Sequence, residues 1–329
     1  MNRRQMLRVV LGLGALAEFG EASASAGLCW QRRELVGFGT ILSLKAAHQD
    51  DATLTRALDD AVAALQRIEA QMSLFRDDSA LSCLNREGTL ASPPRELREL
   101  LVIARDVASR SDGAFDPTVQ PLWLAFADAQ ANGRLPTSTE VAAARARVGW
   151  RDLLLAADGG VHLARPGMGL TLNGIAQGYA ADRVRAVLMR HGIRHALVDA
   201  GEYAMVGHNP QGERWTLGIA DPHVQEHFIA RLFADGRCVA TSGDDQTSFS
   251  ADHRHHHIFD PHTGYSPPDM SGVTVAAPTG ALADALTKVF FVAGPGRARA
   301  LARRWNVDAL WIDKKGRWDA TPGLALSTA

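Results

Sequence analysis

Residues 171–182, TLNGIAQGYAAD, carry the types and spacing best suited to handling a charged group. Their pattern predicts a strand over 168–172, a turn at Asn173 and Gly174, and a helix running to about residue 188. A strand that passes through a glycine into a helix leaves unpaired N–H groups at the positive end of the helix dipole, which suits a phosphate. Gly174 and Gly178 let a ligand or another backbone approach closely. The same letters also fit a strand–turn–helix whose glycines serve packing alone. Neither the Gly-Lys-Ser/Thr of a Walker loop nor a GxGxxG fingerprint is present. Three more segments place polar or glycine-bearing turns at the ends of apolar elements: 113–118, 241–243 with 257–264, and 282–288. His257 closes an HRHHH run, which reads either as a structural histidine or as an adventitious metal-binding tract. Asp284 reads as a carboxylate at a helix start, where a cap is the ordinary role.

Something must position these turns. Leu54, Leu58, Val62, Leu65, Ile68 and Met72 recur at spacings of three and four, which predicts a strong amphipathic helix over 52–72. A short capped helix is expected over 79–86, and Pro93-Pro94 open another that stops at Gly113. Strands are predicted at 34–46, 195–200, 215–220, 237–241, 273–277 and 309–313, with short strands around a hairpin turn at 158–160. Helices are predicted at 281–292 and 297–305, and residues 244–256 read as a polar loop. Strands and helices mix without regular βαβ alternation, so the fold class is α+β. No internal repeat is present.

Composition narrows the function classes. A net charge of −1 over 329 residues, without a basic run, gives no electrostatic case for nucleic acid. No internal stretch of eighteen apolar residues could span a membrane after processing. Residues 1–26 combine Arg3-Arg4, an apolar run over 7–17 and small-residue ends at Ala22-Ser23-Ala24 and Ala24-Ser25-Ala26. That order predicts a twin-arginine-type signal peptide and a periplasmic destination; an amphipathic N-terminal helix is the alternative. Cys29 invites a lipoprotein reading, but Leu28 stands where a lipobox needs Gly or Ala. Cys29, Cys83 and Cys238 are too few and too scattered for a disulfide framework or a zinc site.

Taken in order, SLFRDDSALSCLN, GAFDPTV, TLNGIAQGYAADRV, ATSG, HHHIFDPHTG and LADALTKVFFVAG resemble the ApbE family, the FAD:protein FMN transferases. The resemblance runs from about residue 36 to 311. It implies one α+β domain over 34–325 with a T-fold-like mixed α/β core and FAD held in a cleft. It implies transfer of FMN from FAD to a Ser/Thr hydroxyl of a partner protein, with release of AMP and help from Mg²⁺. The partner implied is an envelope redox protein of a membrane-associated complex. By position, His257 matches a candidate general base, while Asp284 and the carbonyl of Gly174 match metal ligands. Phe38, Phe75, Ala114, Phe115, Asp116, Thr171, Gln177 and Ile258 match positions at the flavin nucleotide. Asp260 and Thr263-Gly264 are expected to shape a turn. A non-catalytic FAD-binding relative and a metal-dependent FAD pyrophosphatase are the rival readings.

The chain departs from the family pattern at defined places. Lys288 stands where a Thr or Ser metal ligand is usual, with Thr287 one place earlier. An ammonium has no lone pair and cannot ligate Mg²⁺. Three readings stay open: Thr287 substitutes, Lys288 partly replaces the metal's charge, or metal binding is weakened. Thr171 replaces the usual Asp, Gln177 the usual Lys or Glu, and Gly201-Glu202 the usual Gly-Gly.

Overall fold

The computed structural model describes residues 27–224 and 227–328. The expected signal peptide at 1–26 lies outside the described residues. Among those described, no helix is long and apolar enough to cross a membrane.

The chain opens with a hairpin, β1 (Cys29–Gly37) and β2 (Thr40–His48), in full antiparallel register. The single strand expected over 34–46 is therefore two. Phe38 (φ 51°) and Gly39 (φ 79°) make the turn in the left-handed region, and a non-glycine there is not legible from alternation. Helix α1 (Asp51–Met72) follows, capped by Asp50, which accepts from the Thr53 N–H at 2.9 Å. It buries Leu54, Leu58, Leu65, Ile68 and Met72, as the spacing requires. Next come α2 (Ala80–Glu87), β3 (Thr89–Leu90) and α3 (Arg95–Arg110). The apolar run at 122–126 lies in a helix, α4 (Gln120–Ala131), followed by α5 (Ser138–Arg145), which starts with a capping box between Thr137 and Glu140.

Strands β4 (Leu153–Leu155) and β5 (Val161–Leu163) flank the expected hairpin turn and form a small sheet with β3. Helix α6 (Ala176–Arg190) leads to β6 (His195–Asp199), β7 (Tyr203–Val206), β8 (Thr216–Ala220), β9 (Phe228–Phe233) and β10 (Cys238–Gly243). After β11 (Met270–Ala277) come α7 (Gly280–Ala293), α8 (Pro295–Trp305), β12 (Asp308–Asp313), β13 (Trp318–Ala320) and β14 (Leu326–Thr328). Strands β3, β7, β9, β13 and β14 were not expected from the pattern.

The main sheet has eight strands in the order β1-β2-β6-β7-β10-β11-β12-β13, and every neighbouring pair is antiparallel. Helices α1, α3, α6 and α7 cover one face and supply the principal core, including Leu65, Leu101, Val184 and Phe290. The other face packs Tyr203, Val239, Ala276 and Leu310 against Trp215, Leu217 and Leu232 of the small β14-β9-β8 sheet. Strand β11 is buried along its whole length because both its faces are covered. Removing each large apolar side chain here from water contributes about 1.5–3 kcal/mol.

Residues 168–172 are not a strand. The Asn85 side chain accepts from the Leu170 N–H at 2.7 Å and donates to the Leu170 carbonyl at 2.8 Å. The Thr171 N–H donates to the Pro117 carbonyl at 2.8 Å. A side chain and a loop thus satisfy the backbone groups that a ladder would have used. Helix α6 begins only at Ala176.

Candidate active site

Helices α6 and α7 cross with their backbones in contact. A Cβ on Gly178 would stand 2.1 Å from the Gly280 carbonyl oxygen, and one on Gly280 would stand 2.3 Å from that of Gly178. Only glycine fits either position. The close crossing lets each helix supply a carboxylate to the other. Asp182 accepts from the N–H groups of Gly280 (2.7 Å) and Ala281 (3.0 Å), capping α7. Asp284, fully buried, accepts from the Gly178 N–H at 3.1 Å through Oδ2.

The other Asp284 oxygen faces Lys288, whose ammonium lies 2.5 Å from Oδ1 and also donates to the Asp284 carbonyl at 3.2 Å. Thr287 donates to the same carbonyl at 2.7 Å, and its hydroxyl pairs with Ser242 of β10 at 2.8 Å. Glu202, buried in the turn after β6, accepts from the Thr241 N–H at 2.9 Å. Burial, then the Asp284 charge, push its carboxyl well above the usual range, with Lys288 pulling the other way.

Gly174 closes this cluster from the other side. A Cβ there would stand 3.2 Å from Lys288 Cε and 3.5 Å from Phe115 Cε2. The structure thus brings Gly174, Phe115, Lys288 and Asp284 together. Gln177 packs on Gly201: a Cβ on that glycine, at φ 90°, would lie 2.3 Å from Gln177 Nε2. Thr171, half-buried, precedes the turn and accepts from the Asn173 N–H at 3.3 Å.

His257 is half-buried. Its N–H donates to the Thr247 carbonyl at 3.0 Å, and Nδ1 lies 3.3 Å from the same oxygen. A carbonyl only accepts, so Nδ1 carries the proton and the Nε2 lone pair is left available. Burial first, and the Lys288 charge second, push its pKa down to about 4, so the ring is neutral at pH 7. The loop that carries it is pinned at both ends. Phe126 of α4 packs on Phe249 and Phe259, with ring centroids 5.4 and 5.1 Å apart. Buried Asp244 pairs with Lys314 at 2.5 Å and His223 at 2.9 Å, and Lys314 also donates to the His253 carbonyl. Asp260 shapes the following turn, accepting from the His262 N–H at 2.9 Å while its carbonyl accepts from Gly264.

The remaining expected positions distribute as follows. Ile258 is buried beside His257. Phe38 and Phe75 gather at the β1–β2 turn and the end of α1; Phe75 is 60% exposed, which leaves its ring free for a planar ligand. An open groove of about 580 Å³ is lined by Leu74, Asp77, Ser82, Asn85 and Arg86, and its lining includes none of Phe75, Asp284, Lys288 or His257. Ala114 and Phe115 follow the Gly113 turn. Asp116 is buried, with Oδ1 accepting from Thr118 and Oδ2 from the Trp150 N–H at 2.9 Å. Its carboxylate therefore organises the loop. Asp182, Ser242 and Gly280 carried no role in the sequence reading; Asp182 lies one turn after Gly178, but its partners are 98 and 99 residues away.

The implied magnesium ion can be tested against these donors. Mg²⁺ demands oxygen lone pairs in near-octahedral array. Both Asp284 oxygens are committed, the Thr287 hydroxyl faces Ser242, and an ammonium rests on the carboxylate. Among the described residues, no group of three or more His, Cys, Asp or Glu side chains is placed to hold a metal. The donor set as folded does not fit the ion.

Comparison with known proteins places this geometry. The family model described as "ApbE family" matches residues 38–311. The FAD:protein FMN transferase of Treponema pallidum is 34% identical over 320 residues, covering 90% of this chain and 87% of that protein. That of Salmonella typhimurium is 30% identical, covering 74% of this chain and 73% of the relative. The crystal structure of the ApbE protein of Thermotoga maritima superposes with a TM-score of 0.79 at 26% identity, over 89% of this chain and 97% of the other. The flavin transferase ApbE of Vibrio cholerae gives 0.77 at 25% identity, with the same coverage. With that family model spanning most of the chain and a relative 34% identical over nearly its whole length, this chain belongs to the ApbE family.

Proposed function

We propose that the chain is an FAD:protein FMN transferase, attaching FMN to a Thr or Ser hydroxyl of an acceptor protein and releasing AMP. The relatives' names support the reaction class. The observation that carries the reading to this site is the placement of neutral His257, its Nε2 unengaged, within the field of Lys288. In the reaction, His257 Nε2 takes the acceptor hydroxyl's proton as the oxygen bonds to the flavin-side phosphorus. The bond from that phosphorus to the bridging oxygen breaks, and its electron pair leaves with the AMP phosphate. The family resemblance assigns the orientation of FAD to Phe38, Phe75, Ala114, Phe115, Asp116, Thr171, Gln177 and Ile258. The resemblance assigns Mg²⁺ to Asp284, Gly174 and Thr287; since the donors do not fit, no step is routed through it.

The acceptor is read as an envelope redox protein of a membrane-associated complex, reached in the periplasm after twin-arginine export. The segment at 1–26 and the family resemblance support this.

The test is incubation of the mature chain with FAD and a Thr-bearing acceptor, reading in-gel flavin fluorescence and free AMP. Labelled acceptor with equimolar AMP is expected. Tightly bound FAD without label or AMP would mean a flavin-binding relative, and AMP without label a pyrophosphatase.

A further inference from the structure

We propose that Lys288 is the resident cation of this site, supplying the positive charge for the transferring phosphate so that the reaction runs without a divalent metal. The inference rests on the transferase reading above and follows from how the Asp284 cluster is filled. Each Asp284 oxygen already has a partner: Gly178 N–H holds Oδ2 at 3.1 Å and the Lys288 ammonium holds Oδ1 at 2.5 Å. The hydroxyl that sequence offers as a replacement ligand, Thr287, is turned toward Ser242 at 2.8 Å. A metal would have to displace an ammonium from its carboxylate and rotate a buried hydroxyl away from two partners.

The lysine is also placed to act on substrate. An ammonium has three donors. The Asp284 side chain and carbonyl take two, leaving one for a phosphoryl oxygen. Its stem lies against Gly174, on the turn before α6, and its charge acts on His257. Glu202, at a position where the family has glycine, adds a buried carboxyl within reach of the Lys288 charge. An added cation and an added acid therefore converge on one aspartate. A point charge that is already in place needs no dehydration to bind, whereas Mg²⁺ sheds its waters reluctantly. Lys288 completes the neutralisation as the hydroxyl–phosphorus bond forms and the bridging oxygen departs with AMP.

The experiment uses the full mature chain with FAD and acceptor, together with Lys288→Thr and Lys288→Arg. Manganese binding is read by electron paramagnetic resonance, with and without FAD, alongside labelling in EDTA or Mg²⁺. The unaltered chain is expected to bind no stoichiometric Mn²⁺ and to keep its rate in EDTA within about twofold. Lys288→Thr is expected to bind one Mn²⁺ and to lose roughly tenfold or more in EDTA, with recovery in Mg²⁺; Lys288→Arg, which keeps the cation, stays EDTA-resistant. Stoichiometric Mn²⁺ on the unaltered chain that disappears in Asp284→Asn, or loss of its labelling in EDTA, overturns the proposal. Absence of labelling under every condition defeats the transferase reading instead, and the manganese signal alone then decides which cation the site takes.

Discussion

The Lys288 ammonium rests 2.5 Å from the Asp284 carboxylate, one helical turn along α7, with the carboxylate 1% and the lysine side chain 18% exposed. Such a pair is costly to break from one side. Asp284→Ala leaves a largely buried ammonium and the Gly178 N–H without their acceptor, and is expected to lower stability by about 3–5 kcal/mol. Removing both partners in Asp284→Ala with Lys288→Met is expected to cost less than the two single changes added together. Urea unfolding of the four proteins gives the coupling; strict additivity would show that the pair does not act as a unit.

The Gly178–Gly280 crossing makes a second expectation. Alanine at either position drives a methyl into a carbonyl of the opposite helix, so each change is expected to lose about 1–3 kcal/mol or more. Both act on one contact, so the double variant is expected to fall short of the sum. An unchanged melting temperature for Gly178→Ala would mean that the helices separate freely at no cost.

The histidines set an acid limit. His257 and His256 have pKa values pushed down from 6.5 to about 4 and about 3, in both cases chiefly by burial. Between pH 6.5 and those values the unfolded chain takes up protons that the folded chain refuses, so stability rises with pH across that window and is lost as pH falls through it. Above 6.5 both states are neutral and this contribution is flat. The labelling rate is expected to persist below pH 6 and to fail only toward pH 4. A half-maximal rate near 6.5 would remove His257 as the base.

Thiol reactivity is expected to separate cleanly. Cys29 is exposed, while Cys238 is buried in β10 with its pKa pushed up to about 12, first by burial and then by the Asp182 charge. Only the thiolate reacts. Timed alkylation read by mass spectrometry is expected to modify Cys29 first and Cys238 only on unfolding; early modification of Cys238 would show that α6 opens from the sheet.

Helices were the most legible part of the fold because their signals are local. The spacing from Leu54 to Met72 and the cap at Ser79 lie within the segments that they define. The hairpin was missed because Phe38, not a turn-former, takes the first left-handed position beside Gly39, and the strand expected at 168–172 failed because Asn85 takes over its backbone bonds. Segments 171–182 and 282–288 stood out as chemistry-bearing, and the four-residue spacing of Asp284 and Lys288 already placed them on one helix face. What could not be read was their convergence, since the Gly178–Gly280 contact joins positions about a hundred residues apart without any local sign. The Asp116–Thr118 bonds are local, two residues apart, but the Trp150 N–H that donates to the other oxygen comes from 34 residues on, a pairing without a local sign.

The exchanged carboxylates of α6 and α7 also time the birth of the site. Gly178 waits for Asp284 across 106 residues, and Asp182 waits for Gly280 across 98. At about 5–20 residues per second on the ribosome, that gap is roughly 5–20 s during which the nascent helix has a bare glycine notch and Asp182 has only Arg185 of its own helix as a partner. A chain broken off before residue 280 has no means of closing that notch, so truncated products remain open to chaperones and proteases, and the site forms only once α7 has been made.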